Sequence, residues 1–295
     1  MSTNTATTVV EPVCVREMDM VTNHGGSTIR QGFHGRELPM YYPNSGIGVQ
    51  MIVFRPDAEF HSPRHSHPHS QVRYILSGTI NYGRDTYSAG DIIIVPDSVK
   101  YGPMRPGSGA PPVFLQTAFT GPSGVPILHP DIIQEAYAEM SHSGTFEKGI
   151  YRPNDGRPRD AYLAAQEYVA GGPIETSPAQ LNDIIVVHTG LLPWVDHTDG
   201  VSVKHVAYIL GTGPNVKVVR LEAGATLPAG VSRSHQARYL IEGSVDWQKK
   251  HYDAVSVMFY PSGREYPATR ALTQSTLVVK QWANAGDPVV PFADL

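Results

Sequence analysis

The sequence has a single cysteine, Cys14, so no disulfide can form within the chain and the redox compartment stays open. It also lacks any block of basic residues: 23 Lys and Arg stand against 27 Asp and Glu, and the formal net charge is −4. Proteins that bind nucleic acid usually carry clustered Lys and Arg. The sequence therefore predicts no nucleic-acid partner.

Long apolar runs are absent as well. No stretch reaches the roughly 18 apolar residues that a membrane-spanning helix requires, so we expect no membrane partner. The first residues, MSTNTATTVVEPV, have neither the charged nor the apolar region of a signal peptide. The cytoplasm is therefore the expected location.

Glycine and proline are abundant, with 28 and 25 residues, whereas charged residues make up only 17% of the chain. This bias toward turn-forming residues favours many short strands over a few long helices. The length of 295 residues fits two domains of roughly 110–130 residues each, with connecting segments.

An internal repeat defines the organisation of the chain. Gln71–Tyr82 (QVRYILSGTINY) matches Gln236–Trp247 (QARYLIEGSVDW) at an offset of 165 residues. The same offset pairs Arg55 with Arg220, Pro96 with Pro261, Tyr101 with Tyr266 and Gln116 with Gln281. A register kept without net insertion from about residue 50 to residue 118 indicates two copies of one strand order.

Short β-rich runs bounded by turn residues recur in both copies and predict the strands. They are 49–54, 72–77, 91–96 and 113–119 in the first copy, and 216–221, 237–242, 255–260 and 277–283 in the second. Between the copies, Asp131–Met140 and Asp160–Ala170 have helical spacing, and Pro130 suits a helix start. The sequence predicts an all-β fold of two tandem barrels with a short helical connection.

The predicted domain boundaries follow from this pattern. Residues 1–40 are polar and weakly patterned, and we expect an N-terminal arm that lies across a barrel or a neighbouring subunit. Residues 41–125 form the first barrel, residues 126–180 the helical and loop connection, and residues 181–295 the second barrel.

The most informative stretch is HSPRHSHPHSQVR, residues 61–73. His65, His67, Gln71 and Arg73 share one parity, so on an extended strand their side chains face the same side. Two imidazoles at this spacing can converge on one ion of the iron, zinc, nickel, copper or manganese group. This stretch therefore predicts a metal site in the first barrel.

The second copy lacks these imidazoles. The positions equivalent to His65, His67 and His69 are Gly230, Ser232 and Ser234, and His235 has the opposite parity. We therefore expect one metal ion per chain.

These residues resemble the two motifs of the cupin superfamily, whose fold is a double-stranded β-helix, or jelly-roll barrel. The first motif is His-x-His, three or four residues, Glu, six residues, Gly; it matches His65, His67, Gln71 and Gly78, with Gln in place of Glu. The second motif is Gly, five residues, Pro-x-Gly, two residues, His; it matches Gly90, Pro96, Ser98 and Tyr101, with Ser and Tyr in place of Gly and His. The resemblance covers roughly residues 45–120 and 210–285 and implies a bicupin.

The resemblance implies one divalent transition metal, iron or else zinc, nickel or manganese, held by His65, His67 and Gln71. Gln can bind a metal through its carbonyl oxygen but brings no charge, so we expect a lower affinity than Glu would give. His69, His61 and Tyr101 are the alternatives for the third ligand. The second barrel is expected to hold no metal.

Arg73 stands six residues after His67, and in this the chain resembles the gentisate-type ring-cleaving dioxygenases, which are also bicupins. In those enzymes an Arg at this place holds the substrate carboxylate, which implies a small-molecule substrate with a carboxylate here. The planar guanidinium of Arg is matched to a carboxylate. The alternative is a structural Arg paired with a buried acid, and its recurrence as Arg238 favours that interpretation.

Tyr101 also has two interpretations. A phenol beside a metal can act as a general acid or base, and the lyases of dimethylsulfoniopropionate are similar in using a pocket tyrosine this way. The alternative is a hydrogen-bonded core residue, because Tyr101 recurs as Tyr266. Gln71 recurs in the same way, as Gln236.

The sequence thus predicts a metal-dependent cupin enzyme that acts on a small polar organic acid, with a dioxygenase slightly favoured. The alternative is a non-oxidative isomerase, cyclase, decarboxylase or lyase that uses zinc or nickel with a tyrosine as acid or base. A ligand-binding cupin with little metal is the third hypothesis. Cupin barrels host all of these functions, so the fold does not choose among them. Assembly into a homo-oligomer stays open.

Overall fold

The computed structural model describes residues 11–23, 32–41, 48–125, 127–128, 130–209 and 213–283. The described residues from 21 to 186 form one compact unit, and those from 11 to 20 and from 187 to 283 form a second. Within these ranges, no helix has the length and the apolar character needed to cross a membrane. Residues 1–10 and 24–31 of the predicted arm lie outside the described residues.

Short strands account for most of the regular structure before residue 120. In chain order they are β1 (Val13–Arg16), β2 (Val21–Asn23), β3 (Gly35–Tyr41), β4 (Gly48–Phe54), β5 (Ser70–Ser77), β6 (Thr79–Tyr82), β7 (Asp85–Ser88), β8 (Asp91–Val95), β9 (Met104–Pro106) and β10 (Val113–Phe119). A 3₁₀ turn at Glu17–Asp19 follows β1. The four strands predicted for the first copy are confirmed to within two residues as β4, β5, β8 and β10.

The connection between the copies contains the two predicted helices. Its elements are α1 (Pro130–Met140), β11 (Gly144–Glu147), β12 (Ile150–Pro153), β13 (Arg159–Asp160) and α2 (Ala161–Ala170). Asp160 caps α2, because its carboxylate accepts a hydrogen bond from the backbone N–H of Leu163 at 3.0 Å. Gly171 ends the helix with a left-handed φ of 74°.

The second copy repeats the strand pattern of the first. After β14 (Ile185–His188), its strands are β15 (Val195–Thr198), β16 (Val201–Tyr208), β17 (Asn215–Leu221), β18 (Thr226–Leu227), β19 (Gly230–Val231), β20 (His235–Glu242), β21 (Ser244–Trp247), β22 (Lys250–Asp253), β23 (Ser256–Tyr260), β24 (Glu265–Tyr266), β25 (Thr269–Ala271) and β26 (Ser275–Trp282). A 3₁₀ turn at Thr189–Leu191 follows β14. The four predicted strands are again confirmed to within two residues, as β17, β20, β23 and β26.

Each unit is built on a seven-stranded sheet. The first has the order β14-β8-β5-β10-β4-β3-β2, and the second has the order β1-β23-β20-β26-β17-β16-β15. The first unit adds a sheet β7-β6-β9, and the second adds sheets β18-β25-β21-β22 and β19-β24. Strands at the 165-residue offset occupy equivalent places in the two long sheets, as the repeat predicts.

The core of each unit lies between its sheets. In the first unit, Ile75, Ile93 and Phe114 of the long sheet pack with Ile80 and Met104 of the short one. Alternation along a strand sends every second side chain to the same face, so the side chains on β5 that share the parity of Ile75 point toward this core. An all-β fold with a short helical connection is confirmed.

The backbone conformation at Ser98 explains why the second motif usually has Gly at this position. Ser98, where the second cupin motif has Gly, has a left-handed φ of 64°, and the equivalent Gly263 has a φ of 75°. Glycine adopts this region without steric cost, whereas other residues need local support. Ser98 has it: its hydroxyl donates to the Asp97 carboxylate at 2.7 Å, and its N–H donates to the carbonyl oxygen of His67 at 2.9 Å.

Candidate metal and carboxylate site

The candidate site lies where the chain enters strand β5. His65 and His67 precede the strand in an irregular segment, and Gln71 and Arg73 lie on it. The irregular segment is fixed to the loop after β8, because His65 and Tyr101 exchange two backbone hydrogen bonds with N···O distances of 3.1 and 2.9 Å. All five side chains are buried, with exposed fractions between 2% and 6%.

The two imidazoles of the sequence motif converge. The Nε2 atoms of His65 and His67 lie 3.1 Å apart. Nδ1 of His65 lies 2.6 Å from the carbonyl oxygen of Pro63, which can only accept a hydrogen bond. The proton of a neutral His65 is therefore on Nδ1, and Nε2 presents its lone pair toward His67.

This pair fits two adjacent ligands of one divalent transition metal. With metal–nitrogen bonds of about 2.0–2.1 Å, adjacent nitrogen ligands of one ion lie roughly 3.0–3.4 Å apart. Among the described residues, no group of three His, Cys, Asp or Glu side chains is arranged to hold a metal. A third ligand would therefore have to come from another side-chain type, from solvent or from a bound molecule.

Gln71 is turned toward Arg73 and His69. Its carbonyl oxygen accepts hydrogen bonds from Nη2 of Arg73 at 2.6 Å and from the Tyr101 hydroxyl at 3.4 Å. Its amide nitrogen lies 3.1 Å from Nε2 of His69. Burial, reinforced by the charge of Arg73, lowers the pKa of His69 to about 3, so His69 is neutral and its Nε2 can accept from the Gln71 amide. The oxygen that could bind a metal is thus held by Arg73.

Arg73 is a buried cation surrounded by neutral acceptors. Its five N–H groups donate to Gln116 Oε1 at 2.7 Å, Tyr82 O at 2.5 Å, Met104 Sδ at 3.1 Å, Gln71 Oε1 at 2.6 Å and Tyr101 O at 2.9 Å. No carboxylate of the described residues lies within ion-pair distance. Burial alone lowers the pKa of Arg73, but the hydroxyls of Tyr101 and Tyr82 raise it by more, so the pKa lies above its usual value. The charge is therefore permanent, and its acceptors among the described residues are all neutral.

Tyr101 joins the histidine pair to Arg73. Its ring centroid lies 4.5 Å from that of His65 and 5.9 Å from that of His67, while its hydroxyl accepts from Arg73. The Arg73 guanidinium lies 2.9 Å from the phenol oxygen. The structure thus brings four predicted site residues around Tyr101, and it places the carbonyl oxygen of Gln71 on Arg73.

Three residues around Arg73 were not among the predicted site residues: Tyr82, Met104 and Gln116. Tyr82 carried a usable signal, because the repeat changes there from Tyr82 to Trp247 within an otherwise matched segment. A phenol oxygen can accept a hydrogen bond from a guanidinium, whereas an indole N–H cannot. Burial raises the pKa of Tyr82 and the charge of Arg73 lowers it, with a net increase, so Tyr82 stays a neutral acceptor.

Tyr162 of helix α2 covers the histidines. Its ring centroid lies 5.6 Å from that of His67 and 6.2 Å from that of His69, in edge-to-face arrangements. The helix was predicted as a connection only, and nothing in its local pattern points to a neighbouring site. Contact between α2 and the first unit's site comes from tertiary packing.

Glu37 is a further buried acid in the first unit. It lies on β3 opposite Ile52, which is opposite Gln116 on the next strand, so Glu37 shares the interior face of the sheet. Burial raises the pKa of Glu37 to about 8, although the Gln50 amide donates a hydrogen bond to its carboxyl group. This acid falls within the segment predicted as an N-terminal arm.

Comparisons with known proteins identify similar folds. Residues 182–285 match the family model of the ChrR cupin-like domain. A candidate dioxygenase from Nostoc punctiforme has a similar structure, with a TM-score of 0.61 and 14% identity over 97% of this chain and 88% of that one. No curated protein matches the sequence.

Oxalate decarboxylase from Bacillus subtilis is also similar in structure. One structure of this enzyme, that of a mutant with a single arginine replaced by alanine, gives a TM-score of 0.58 and 13% identity over 95% of this chain and 79% of that one. A second structure of the same enzyme, described for its Mn(II) centres, gives a TM-score of 0.55 at 14% identity. The internal repeat and these likenesses show the fold of the chain, two tandem jelly-roll barrels, and the match over residues 182–285 makes the second barrel similar to a cupin-like domain.

Proposed function

We propose that this protein is a metal-dependent cupin enzyme acting on a small organic carboxylate, with its active site in the first unit. The observation that carries the proposal is the buried pair of imidazole nitrogens, 3.1 Å apart, beside the Tyr101 ring. The positions equivalent to these histidines in the second repeat, Gly230 and Ser232, have no imidazole. Because the twin barrel folds without them, the histidines are not needed for the fold.

The charge of the site supports a carboxylate as substrate. His65, His67 and Gln71 are neutral ligands, and Arg73 adds a permanent positive charge to the same cluster. A divalent cation placed there would meet repulsion from Arg73 and no protein carboxylate in the described cluster. An anionic substrate would relieve both charges, so the metal and a carboxylate should bind more tightly together than apart.

The favoured reaction is a dioxygenation, as the structural similarity to the candidate dioxygenase from Nostoc punctiforme suggests. When bound, a divalent metal supplies Lewis acidity, and iron adds redox chemistry with O₂. In this proposal the substrate carboxylate replaces Gln71 among the acceptors of Arg73, which orients it. Tyr101 holds or moves a proton at its hydroxyl oxygen, and Tyr162 shields the histidines from water. Gln71 completes the ligand set if its oxygen leaves Arg73 for the metal.

A non-oxidative reaction is the second candidate. The observation that favours it is the Tyr101 hydroxyl, which lies 2.9 Å from Arg73 and is thereby suited to exchange a proton with substrate. Oxalate decarboxylase, a structural relative, is named for the loss of carbon dioxide from a small carboxylate. With zinc or nickel, the same residues would support isomerisation, decarboxylation or elimination.

The experiment that tests the proposal measures metal content and oxygen uptake on one preparation. We expect one transition metal ion per chain by elemental analysis, and turnover of at least one member of a panel of aliphatic and aromatic carboxylates. Oxygen consumed in step with substrate supports the dioxygenase, and turnover without oxygen supports the second candidate. A protein that binds no metal, even after iron, manganese, zinc or nickel is added back, would overturn both.

Replacement of Arg73 by lysine should lower kcat/KM by on the order of tenfold or more. Lysine keeps the charge but loses the planar fork, so it cannot hold a carboxylate through two parallel hydrogen bonds. Steady-state kinetics and a thermal melt of the same protein separate the two roles of Arg73. Unchanged kinetic constants together with a lower melting temperature would show that Arg73 has only a structural role, through its hydrogen bonds to the five acceptors around it.

Replacement of Tyr101 by phenylalanine should lower kcat by tenfold or more and leave the metal content unchanged. The variant keeps the ring against His65 but removes the oxygen that contacts Arg73. Tyr266→Phe, at the equivalent position of the second barrel, is the matched control and should retain activity. Equal losses in the two variants would assign the tyrosine to the scaffold of the barrel.

A further inference from the structure

Arg238 is the counterpart of Arg73 in the second barrel, and its environment is different. It lies on strand β20 with no exposed surface, and its Nε donates to the carbonyl oxygen of Gln236. Within the described part of the chain, neither Nη1 nor Nη2 of Arg238 has a hydrogen-bond partner. Four buried N–H groups of a guanidinium are therefore unsatisfied, whereas all five N–H groups of Arg73 are used.

The sequence differences between the repeats explain these unsatisfied groups. Trp247 replaces the acceptor Tyr82, and its indole N–H donates to the Tyr260 hydroxyl at 3.1 Å. Thr269 replaces Met104. Gln281, the equivalent of Gln116, accepts instead from the side-chain amide of Asn215 at 3.0 Å. The second repeat thus keeps the arginine, but two of the acceptors are replaced and the third accepts a hydrogen bond from another side chain.

Two further unsatisfied donors lie beside Arg238. The side-chain nitrogen of Gln236 and the hydroxyl of Ser234 are buried and have no partner among the described residues. The Gln236 oxygen accepts from Arg238, so its nitrogen is fixed as the donor. Gln236 and Arg238 alternate along β20, which places them on one face of the strand, and Ser234 immediately precedes the strand. A row of buried donors without acceptors is matched to an acceptor-only group such as a carboxylate.

The uncompensated charge of Arg238 also favours an anionic group at this place. The described part of the second unit buries Arg238 and no Asp or Glu, and burial lowers the pKa of a second buried base, Lys280, well below its usual value. Arg cannot lose its proton inside a protein, and a buried charge is costly unless it is paired. The faces of Tyr260 and Tyr266, whose centroids lie 4.7 and 5.0 Å from Cζ of Arg238, compensate only in part.

We propose that the second barrel is a metal-independent binding site for a small carboxylate, which Arg238 holds with Gln236 and Ser234. The carboxylate would pair with the two terminal nitrogens of the guanidinium, and its remaining lone pairs would accept from the amide and the hydroxyl. This site is separate from the histidine site of the first barrel. Each barrel would thus use its arginine for a carboxylate, beside a metal in the first barrel and without one in the second.

The test compares sodium acetate and sodium formate with sodium chloride at equal concentrations. In wild-type protein, either carboxylate should raise the melting temperature by several degrees, saturably, and more than chloride does, because a ligand that binds only the folded state stabilises it. Arg238→Met should lose this increase and, without carboxylate, melt no lower than wild type, since it removes an uncompensated buried charge. His67→Ala, which alters the first barrel only, should keep the increase.

Three outcomes would overturn the proposal. The first is no difference between carboxylate and chloride in wild type, which would leave water as the partner of Arg238. The second is the same carboxylate effect in Arg238→Met. The third is loss of the effect in His67→Ala, which would assign the binding to the first barrel. If Arg238→Met does not fold, Gln236→Leu carries the test: acetate should bind about tenfold more weakly, and unchanged binding would overturn the proposal.

Discussion

Replacement of His67 by alanine is expected to remove the bound metal and to reduce metal-dependent activity to background. The Nε2 atoms of His65 and His67 are 3.1 Å apart, a separation that fits adjacent ligands of one ion. Loss of one imidazole leaves a single strong ligand beside the repelling charge of Arg73. We expect a fall in metal affinity of a hundredfold or more, measured by elemental analysis and by competition with a chelator.

The fold should survive this substitution. His67 is not part of the apolar core of the first unit, and its equivalent in the second repeat is Ser232. His251→Ala, which removes a half-exposed histidine of the second unit, is the control and should leave metal content unchanged. Full metal occupancy in His67→Ala would place the ion elsewhere and remove the basis of the proposed active site.

Replacement of Glu37 by glutamine should stabilise the protein at alkaline pH and have little effect below about pH 4.5. Burial raises the pKa of Glu37 from 4.5 to about 8, so the folded state holds a proton that the unfolded state releases. The stability contributed by this group is fully present below the unfolded pKa and is lost as the pH rises toward 8. The full difference corresponds to about 5 kcal/mol, at 1.36 kcal/mol per pKa unit.

Denaturant titrations at pH 4.5, 6.5 and 8.5 would measure this effect. The free energy of unfolding of the wild type, relative to that of Glu37→Gln, should fall steadily across the series. Glu139→Gln, which alters an exposed carboxylate on helix α1, is the matched control and should show no such trend. A constant difference between wild type and Glu37→Gln at all three pH values would show that Glu37 ionises at its ordinary pH in the folded protein.

The sequence was a good guide to the fold because its signals were local and repeated. The eight runs of β-forming residues correspond to β4, β5, β8 and β10 and to their partners at the 165-residue offset. The convergence of His65 and His67 also followed from two residues of equal parity within one motif. Signals of this kind can be recognised from neighbouring residues in the sequence, or from comparison of the two copies.

The surroundings of Arg73 could not be predicted in the same way. Its acceptors come from β6, β9, β10 and the loop after β8, so the cluster exists only once the two sheets pack together. A structural arginine was expected to pair with a buried acid, yet all its acceptors here are neutral. The burial of Glu37 was not predicted either, because a single acid in a polar segment gives no sign that its strand will pack on the interior of a barrel.

The outermost strands of the two long sheets are exchanged with respect to chain order. β1 precedes the first repeat but lies at the edge of the second unit's sheet, where Val13–Arg16 pair with β23. β14 precedes the second repeat but lies beside β8 in the first unit's sheet. A cut between the repeats would separate β1 and β14 from the sheets in which they pair. Each long sheet would then expose the unpaired N–H and C=O groups of a new edge strand, which can pair with another chain. The two repeats therefore cannot be separated into independent domains by a cut between them, because each half of the chain contains a strand that pairs in the sheet of the other half.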